Sequence, residues 1–243
     1  MAFAGLCLAL GVPAPLAGQG AQREPAPTVI PWWEGAAVLG GLALASAFDE
    51  AIQHATQEGR SRFGDDLAAM ARRPGQPEVF ATIPGAMFLA GAITGRPALR
   101  RSGARVAGSL ALAGVLVTAG KLTFGRLRPS QVEEPYEWRP FSGADAFPSG
   151  HTTMAFALAT SLANEIRLPW ATVGLMVVAA GTGWSRLNDN KHWVSDVAAG
   201  ATLGVTSAQL IDGRWTVFHL RPPTVFLTPG RAGVAWRVSA RLP

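Results

Sequence analysis

Six stretches of the chain are apolar on every face of a helix rather than on one: 35–48, 79–95, 106–120, 152–163, 168–184 and 197–211. Ala, Gly and Leu dominate them, so the pattern predicts helices buried on all sides or embedded in lipid, not amphipathic surface helices. Small residues at this density suit close helix–helix approach within a bilayer. Each run falls short of the ~20 apolar residues a spanning helix needs. Flanking Trp32, Trp33 and Trp170 and neutral Ser and Thr positions extend them, and tryptophan at such ends suits the headgroup level. The expected fold is all-α, a six-helix transmembrane bundle, with buried helices of a soluble bundle as the alternative.

The remainder divides around that block. Residues 1–31 read as an apolar segment followed by a Pro/Gly/Gln-rich linker, resembling a signal peptide but lacking a basic residue ahead of the apolar stretch. Between the first two runs, 49–76 is polar, with Phe63, Leu67 and Met70 at helical spacing. This predicts a helix lying along the membrane surface, capping the bundle or simply facing solvent. Residues 213–243 read as short extended segments at 215–218, 224–227 and 234–238, with Pro229-Gly230 as a turn, hence a hairpin tail. The helical domain proper is 32–212.

Composition narrows the class. Apolar residues make up 49% of the 243 and charged residues 15%, against about a quarter charged in soluble domains. The net charge of +5 comes from basic residues scattered between apolar runs, which favours loops facing anionic headgroups and argues against nucleic acid as a partner. The single cysteine, Cys7, excludes an intramolecular disulfide and a cysteine-based metal site, and the four histidines form no ligand cluster. No metal and no cofactor is expected.

Three blocks carry chemistry. Lys121, Arg128 and Pro129 follow the third run as K-x6-R-P; Pro148-Ser149-Gly150-His151 opens the fourth; Ser185-Arg186, His192 and Asp196 join the fifth to the sixth as S-R-x5-H-x3-D. With antiparallel crossings all three fall at one end of the bundle. Lys121, Arg128 and Arg186 make a cationic clamp, arginine as a planar fork and lysine as a point charge. A helix beginning at Ser149-Gly150 aims free N–H groups at an anion, with Ser149 as its cap. His192 and Asp196 share one helix face, where a carboxylate bonded to one ring nitrogen leaves the other free as a nucleophile. Taken singly, each block has a plain structural reading: a snorkelling lysine, satisfied histidines, a capping serine. Arg126, Arg128 and Arg139 with Glu133, Glu134 and Glu137 also read as a solvated loop of local ion pairs. His54 and His219 have no comparable neighbours.

Together and in this order the blocks resemble the signature of the type 2 phosphatidic acid phosphatase (PAP2) superfamily, over roughly residues 106–211. The superfamily contains membrane lipid phosphatases, soluble acid phosphatases and vanadium haloperoxidases. The resemblance implies a metal-independent phosphatase. His192 would form a phosphohistidine, Asp196 would orient it, and His151 would serve as general acid and base. Lys121, Arg128, Ser149, Gly150 and Arg186 would bind the phosphate. The expected substrate is a lipid phosphate or diphosphate and the expected site the cytoplasmic membrane, with an uncleaved N-terminus and the active end outward. A secreted acid phosphatase, a haloperoxidase and a non-catalytic lipid-phosphate binder are the competing readings.

Overall fold

The computed structural model describes residues 27–217, 224–228 and 231–235. Cys7 and the apolar segment of the first 26 residues, His219 and the Pro229-Gly230 turn lie outside the described residues. Each of the six apolar runs falls in a helix, to within two residues at its ends: α1 (Trp32–Ser46), α4 (Pro77–Ile93), α5 (Pro97–Phe124), α6 (Gly150–Ile166), α7 (Pro169–Asn188) and α8 (Val194–Ile211). Two short helices, α2 (Asp49–Glu58) and α3 (Arg62–Ala71), and a 3-10 turn at Arg73–Gly75 occupy the polar 49–76 segment. The bundle therefore has eight α-helices among the described residues, not six. α3 packs against α7, and α2 touches both α7 and α8, so this segment caps the bundle.

Among the described residues, only α5, with 28 residues, is by itself long and apolar enough to cross a bilayer. The α1–α2 pair qualifies if its 50° bend is counted as one broken span. By that criterion the six-span expectation is not confirmed. α4 is apolar but shorter, and α6 spends its inner face on Thr152, Thr153, Thr160 and Ser161, all buried. The outward surface tells the complementary story. Trp32 (78% exposed), Leu39, Leu44, Leu89, Ile93, Val115, Trp170, Val173 and Val177 all point away from the bundle. α1 buries none of its residues. Large apolar side chains on α1, α4, α5 and α7 thus face outward, as suits a lipid environment.

α6 is the central helix, flanked by α5, α7 and α8. Its contact with α8 depends on two small residues one turn apart. A Cβ on Gly200 would lie 2.6 Å from the Ser149 carbonyl oxygen, and one on Gly204 2.5 Å from that of Thr153. The apolar core between α5 and α6 is built from Val106, Leu110, Ala113, Ala157 and Leu158, with Phe80, Ile83 and Met87 of α4 against it.

The tail forms strands, with a pairing that the sequence pattern does not announce. β1 (Thr28–Ile30) runs parallel to β2 (Trp215–Val217), joining the start of the described chain to the end of α8. β3 (Thr224–Thr228) pairs antiparallel with β4 (Arg231–Ala235), as a hairpin would.

Candidate active site

The three sequence blocks meet at one end of the bundle. Lys121 stands in the last turn of α5, which Gly125 terminates with φ +57°. A Cβ there would collide with the Arg139 carbonyl, so the turn that launches the following loop requires glycine. That loop carries Arg126 and Arg128 and closes on itself through an Arg126–Trp138 bridge. It returns through Asp145 and Ala146 to Ser149, whose backbone N–H donates to the Asp196 carbonyl at 3.0 Å. Gly150 and His151 open α6 beside Lys121, and the ideal Cβ position of Gly150 lies 3.8 Å from Lys121 Cε. Arg186 ends α7, and His192 sits in the loop before α8, whose third residue is Asp196.

His192 is buried, and its Nδ1 lies 2.7 Å from the carbonyl oxygen of Ala146. A carbonyl only accepts, so Nδ1 carries a proton, and in the neutral imidazole Nε2 then keeps a free lone pair. Asp196 is close but is not the hydrogen-bond partner: its Oδ2 is 3.6 Å from Nδ1. The expectation that Asp196 fixes the tautomer by a direct hydrogen bond is therefore corrected. Its oxygens are committed elsewhere, Oδ2 accepting from the Trp193 N–H at 2.8 Å and Oδ1 from Arg126 Nη1 at 2.7 Å. What Asp196 contributes to His192 is negative potential. Burial pushes the His192 imidazole below its ordinary range, the Asp196 carboxylate opposes that, and the Lys121 ammonium adds to it.

Arg126 is the residue the sequence reading misplaced. It lies in no solvated loop: it is 1% exposed and bridges two fully buried carboxylates, Asp49 at 2.6 Å and Asp196 at 2.7 Å. Its Nη1 also donates to Ser195 Oγ at 2.7 Å, and Nε and Nη2 donate to the Pro135 carbonyl at 2.9 and 2.6 Å. Its guanidinium lies 4.8 Å from the centre of the Trp138 ring and 5.5 Å from that of Trp193. Asp49 completes the network by accepting from the Ser195 N–H at 2.8 Å and Oγ at 2.6 Å, which holds the first turn of α8. Trp193 is buried with this network.

The clamp cations have carboxylate partners of their own. Arg128 grips Asp145 through both arms of its fork, Nε to Oδ1 at 2.8 Å and Nη2 to Oδ2 at 2.6 Å. Lys121 Nζ donates to the Asp145 carbonyl at 2.5 Å and lies 3.4 Å from its Oδ2. Partial burial pushes the Asp145 carboxyl up, but the Arg128 and Lys121 contacts prevail and hold it below the ordinary carboxylate range. Arg186 pairs with Asp189, which also takes Arg72 at 3.1 Å. Ser149 occupies the cap position of α6, yet its hydroxyl pairs with Thr152 Oγ1 at 2.9 Å and does not accept from the helix N–H groups. Those N–H groups are thus not consumed by the serine that precedes them. Among the described residues, no three His, Cys, Asp or Glu side chains converge as metal ligands.

Comparison with known proteins places this geometry. The family model described as the PAP2 superfamily matches residues 102–225. The lipid A 1-phosphatase of Porphyromonas gingivalis is 44% identical over 108 residues, covering 44% of this chain and 22% of that protein. The matched segments span less than half the length of the curated relatives. Two solved structures share the fold. The crystal structure of Aquifex aeolicus LpxE aligns with a TM-score of 0.55 at 21% identity, covering 68% of this chain and 94% of that one. The crystal structure of a transmembrane PAP2 type phosphatidylglycerolphosphate phosphatase from Bacillus subtilis aligns at 0.60 and 20% identity, covering 74% and 95%.

Proposed function

The chain belongs to the PAP2 superfamily, and on that premise we propose that it removes a terminal phosphate from a lipid phosphate or diphosphate, through a phosphohistidine on His192. The observation that carries this reading is the imidazole itself. Its Nδ1–H is held by the Ala146 carbonyl, and burial lowers its proton affinity, which favours the neutral ring with a lone pair on Nε2. Residues 32–212 form the catalytic domain in this reading.

The equatorial oxygens of a phosphoryl group keep their charge through transfer, so the protein's task is positioning and electrostatic stabilisation. Lys121, Arg128 and Arg186 supply three cations and the first turn of α6, from Gly150, supplies N–H groups. No metal is then needed to neutralise the phosphate. Nε2 of His192 attacks phosphorus and the bond to the leaving oxygen breaks as that oxygen takes a proton from His151. In the second step His151 accepts a proton from water as the water oxygen attacks phosphorus. The N–P bond breaks, inorganic phosphate leaves and His192 regains its lone pair. Asp196 favours the cationic imidazole that develops during attack, by its charge at 3.6 Å rather than by a hydrogen bond.

The lipid substrate class rests on the outward-facing apolar side chains of α1, α4, α5 and α7, and on the lipid A 1-phosphatase among the relatives. A site at the end of a membrane-embedded bundle meets headgroups at their own depth, while the acyl or prenyl chain adds apolar contact. We place the protein in the cytoplasmic membrane with this end outward. The test compares purification with and without detergent, then kcat/KM on a lipid phosphate in mixed micelles and on a soluble sugar phosphate, each with and without EDTA. A preference for the lipid that survives chelation is expected. A protein soluble without detergent that prefers soluble esters would establish the acid-phosphatase reading instead. Loss with EDTA restored by a divalent ion would overturn the metal-free one.

A further inference from the structure

The Arg128 fork is already filled from within the chain. Two parallel N–H···O contacts, to both oxygens of one carboxylate, are the geometry by which arginine holds a phosphate. The same carboxylate lies 3.4 Å from Lys121 Nζ, so a single Asp145 side chain reaches two of the three clamp cations. No sequence motif marks this residue. We infer that Asp145 is a resident competitor for the phosphate clamp: its carboxylate occupies the Arg128 fork between turnovers, gives way to substrate and returns to expel inorganic phosphate.

Three observations make the exchange physically easy. The Asp145 side chain is 43% exposed, so a carboxylate leaving the fork is met by water, not by an apolar wall. Its backbone is anchored independently, because the Asp145 carbonyl accepts from Lys121 and the next carbonyl, Ala146, accepts from His192. A side-chain rotation therefore releases the fork without moving the peptide that orients the nucleophile. Finally, the Asp189 carboxylate is shared between Arg186 and Arg72 and spaced three residues from Arg186 on the same chain. It steadies its arginine, whereas Asp145 takes both arms of a fork from across a loop.

The functional consequence follows from competition. A ligand that must displace an internal occupant binds more weakly by the fraction of time the clamp is open. A lipid ester offsets this with contacts along its chain, whereas inorganic phosphate has only its phosphate. Asp145 therefore handicaps phosphate-only ligands, the product above all, and sharpens the preference for esters that carry a tail. This inference rests on the phosphatase reading for its meaning, but its measurement does not.

The experiment is equilibrium binding of inorganic phosphate to the purified, detergent-solubilised full chain, parent against Asp145→Asn, by calorimetry. Asp145→Asn should tighten phosphate about tenfold or more, the scale on which one charge-assisted hydrogen-bond arrangement moves affinity. Product inhibition should deepen in parallel. A general gain in positive potential would also tighten phosphate, so the same substitution is made in an Arg128→Lys background. That background keeps the charge but has no fork, and the gain there should fall to about twofold or less. Asp145→Glu, which keeps the carboxylate, should stay near the parent. Unchanged or weaker phosphate binding in Asp145→Asn would overturn the inference, as would an undiminished gain in the Arg128→Lys background. Tighter binding in a protein that hydrolyses no ester would instead overturn the phosphatase reading and leave the competitor standing.

Discussion

Arg126→Ala should be among the most damaging single substitutions in the described chain, although Arg126 is not one of the candidate phosphate-binding residues. The change removes the cation between Asp49 and Asp196 and leaves two carboxylates, both fully buried, with no positive partner. Removing one member of a buried ion pair costs about 3–5 kcal/mol, because the desolvated charge left behind is uncompensated. Here two charges are stranded, and the Ser195 hydroxyl and Pro135 carbonyl lose donors as well, so the upper end of that range is expected. With about 2–4 °C lost per kcal/mol in a chain of this length, the thermal midpoint should fall by about 10–20 °C. Differential scanning fluorimetry in a fixed detergent measures it. The cause is separable from lost packing: adding Asp49→Asn to Arg126→Ala removes one stranded charge and should recover more than about 1 kcal/mol relative to the sum of the single effects. A midpoint for Arg126→Ala equivalent to within about 0.5 kcal/mol of the parent, the scale of a neutral surface change, would refute the reasoning.

Two further outcomes follow from the site. His151→Ala should slow esters with poor leaving groups far more than activated aryl phosphates, since proton donation matters least where the leaving oxygen is already stable; equal losses on both would count against the general-acid role. The acid limb of kcat/KM should lie below the ordinary histidine value of about 6.5, because only the neutral imidazole attacks and burial holds its proton affinity down. Asp196 opposes that shift, so Asp196→Asn should move the limb to still lower pH while reducing kcat; a limb moving upward would contradict the electrostatic role.

Much of this arrangement was readable from local pattern. Runs such as 106–120 and 197–211 could only be helices, because Ala- and Gly-rich apolar stretches of that length fit no strand and no loop. The order of the three blocks along alternating helices was enough to bring Lys121, Ser149 and His192 to one end. What escaped depends on partners remote in sequence. Arg126 looks solvated beside Glu133, Glu134 and Glu137, and only the fold delivers Asp49 and Asp196 to it. The i,i+4 spacing of His192 and Asp196 anticipated that they lie close, but His192 sits in the loop before α8 and not on a shared helix face, and the spacing is silent on the Ala146 carbonyl that accepts from Nδ1–H. Asp145 could not be singled out, since a lone acidic residue in a polar loop carries no pattern. The parallel β1–β2 pairing joins segments at opposite ends of the chain, where local periodicity has nothing to say.

The central claim is that His192 carries the phosphoryl group, and the most direct test is to trap it. The detergent-solubilised protein is mixed with a lipid phosphate labelled with 32P at the terminal phosphate, quenched within the first turnover and divided between acid and base. The account predicts a protein-bound label in the parent that is lost in acid, survives in base and maps to the peptide containing His192, with none in His192→Ala. Stable label in His192→Ala, or undiminished turnover by that variant, would contradict it.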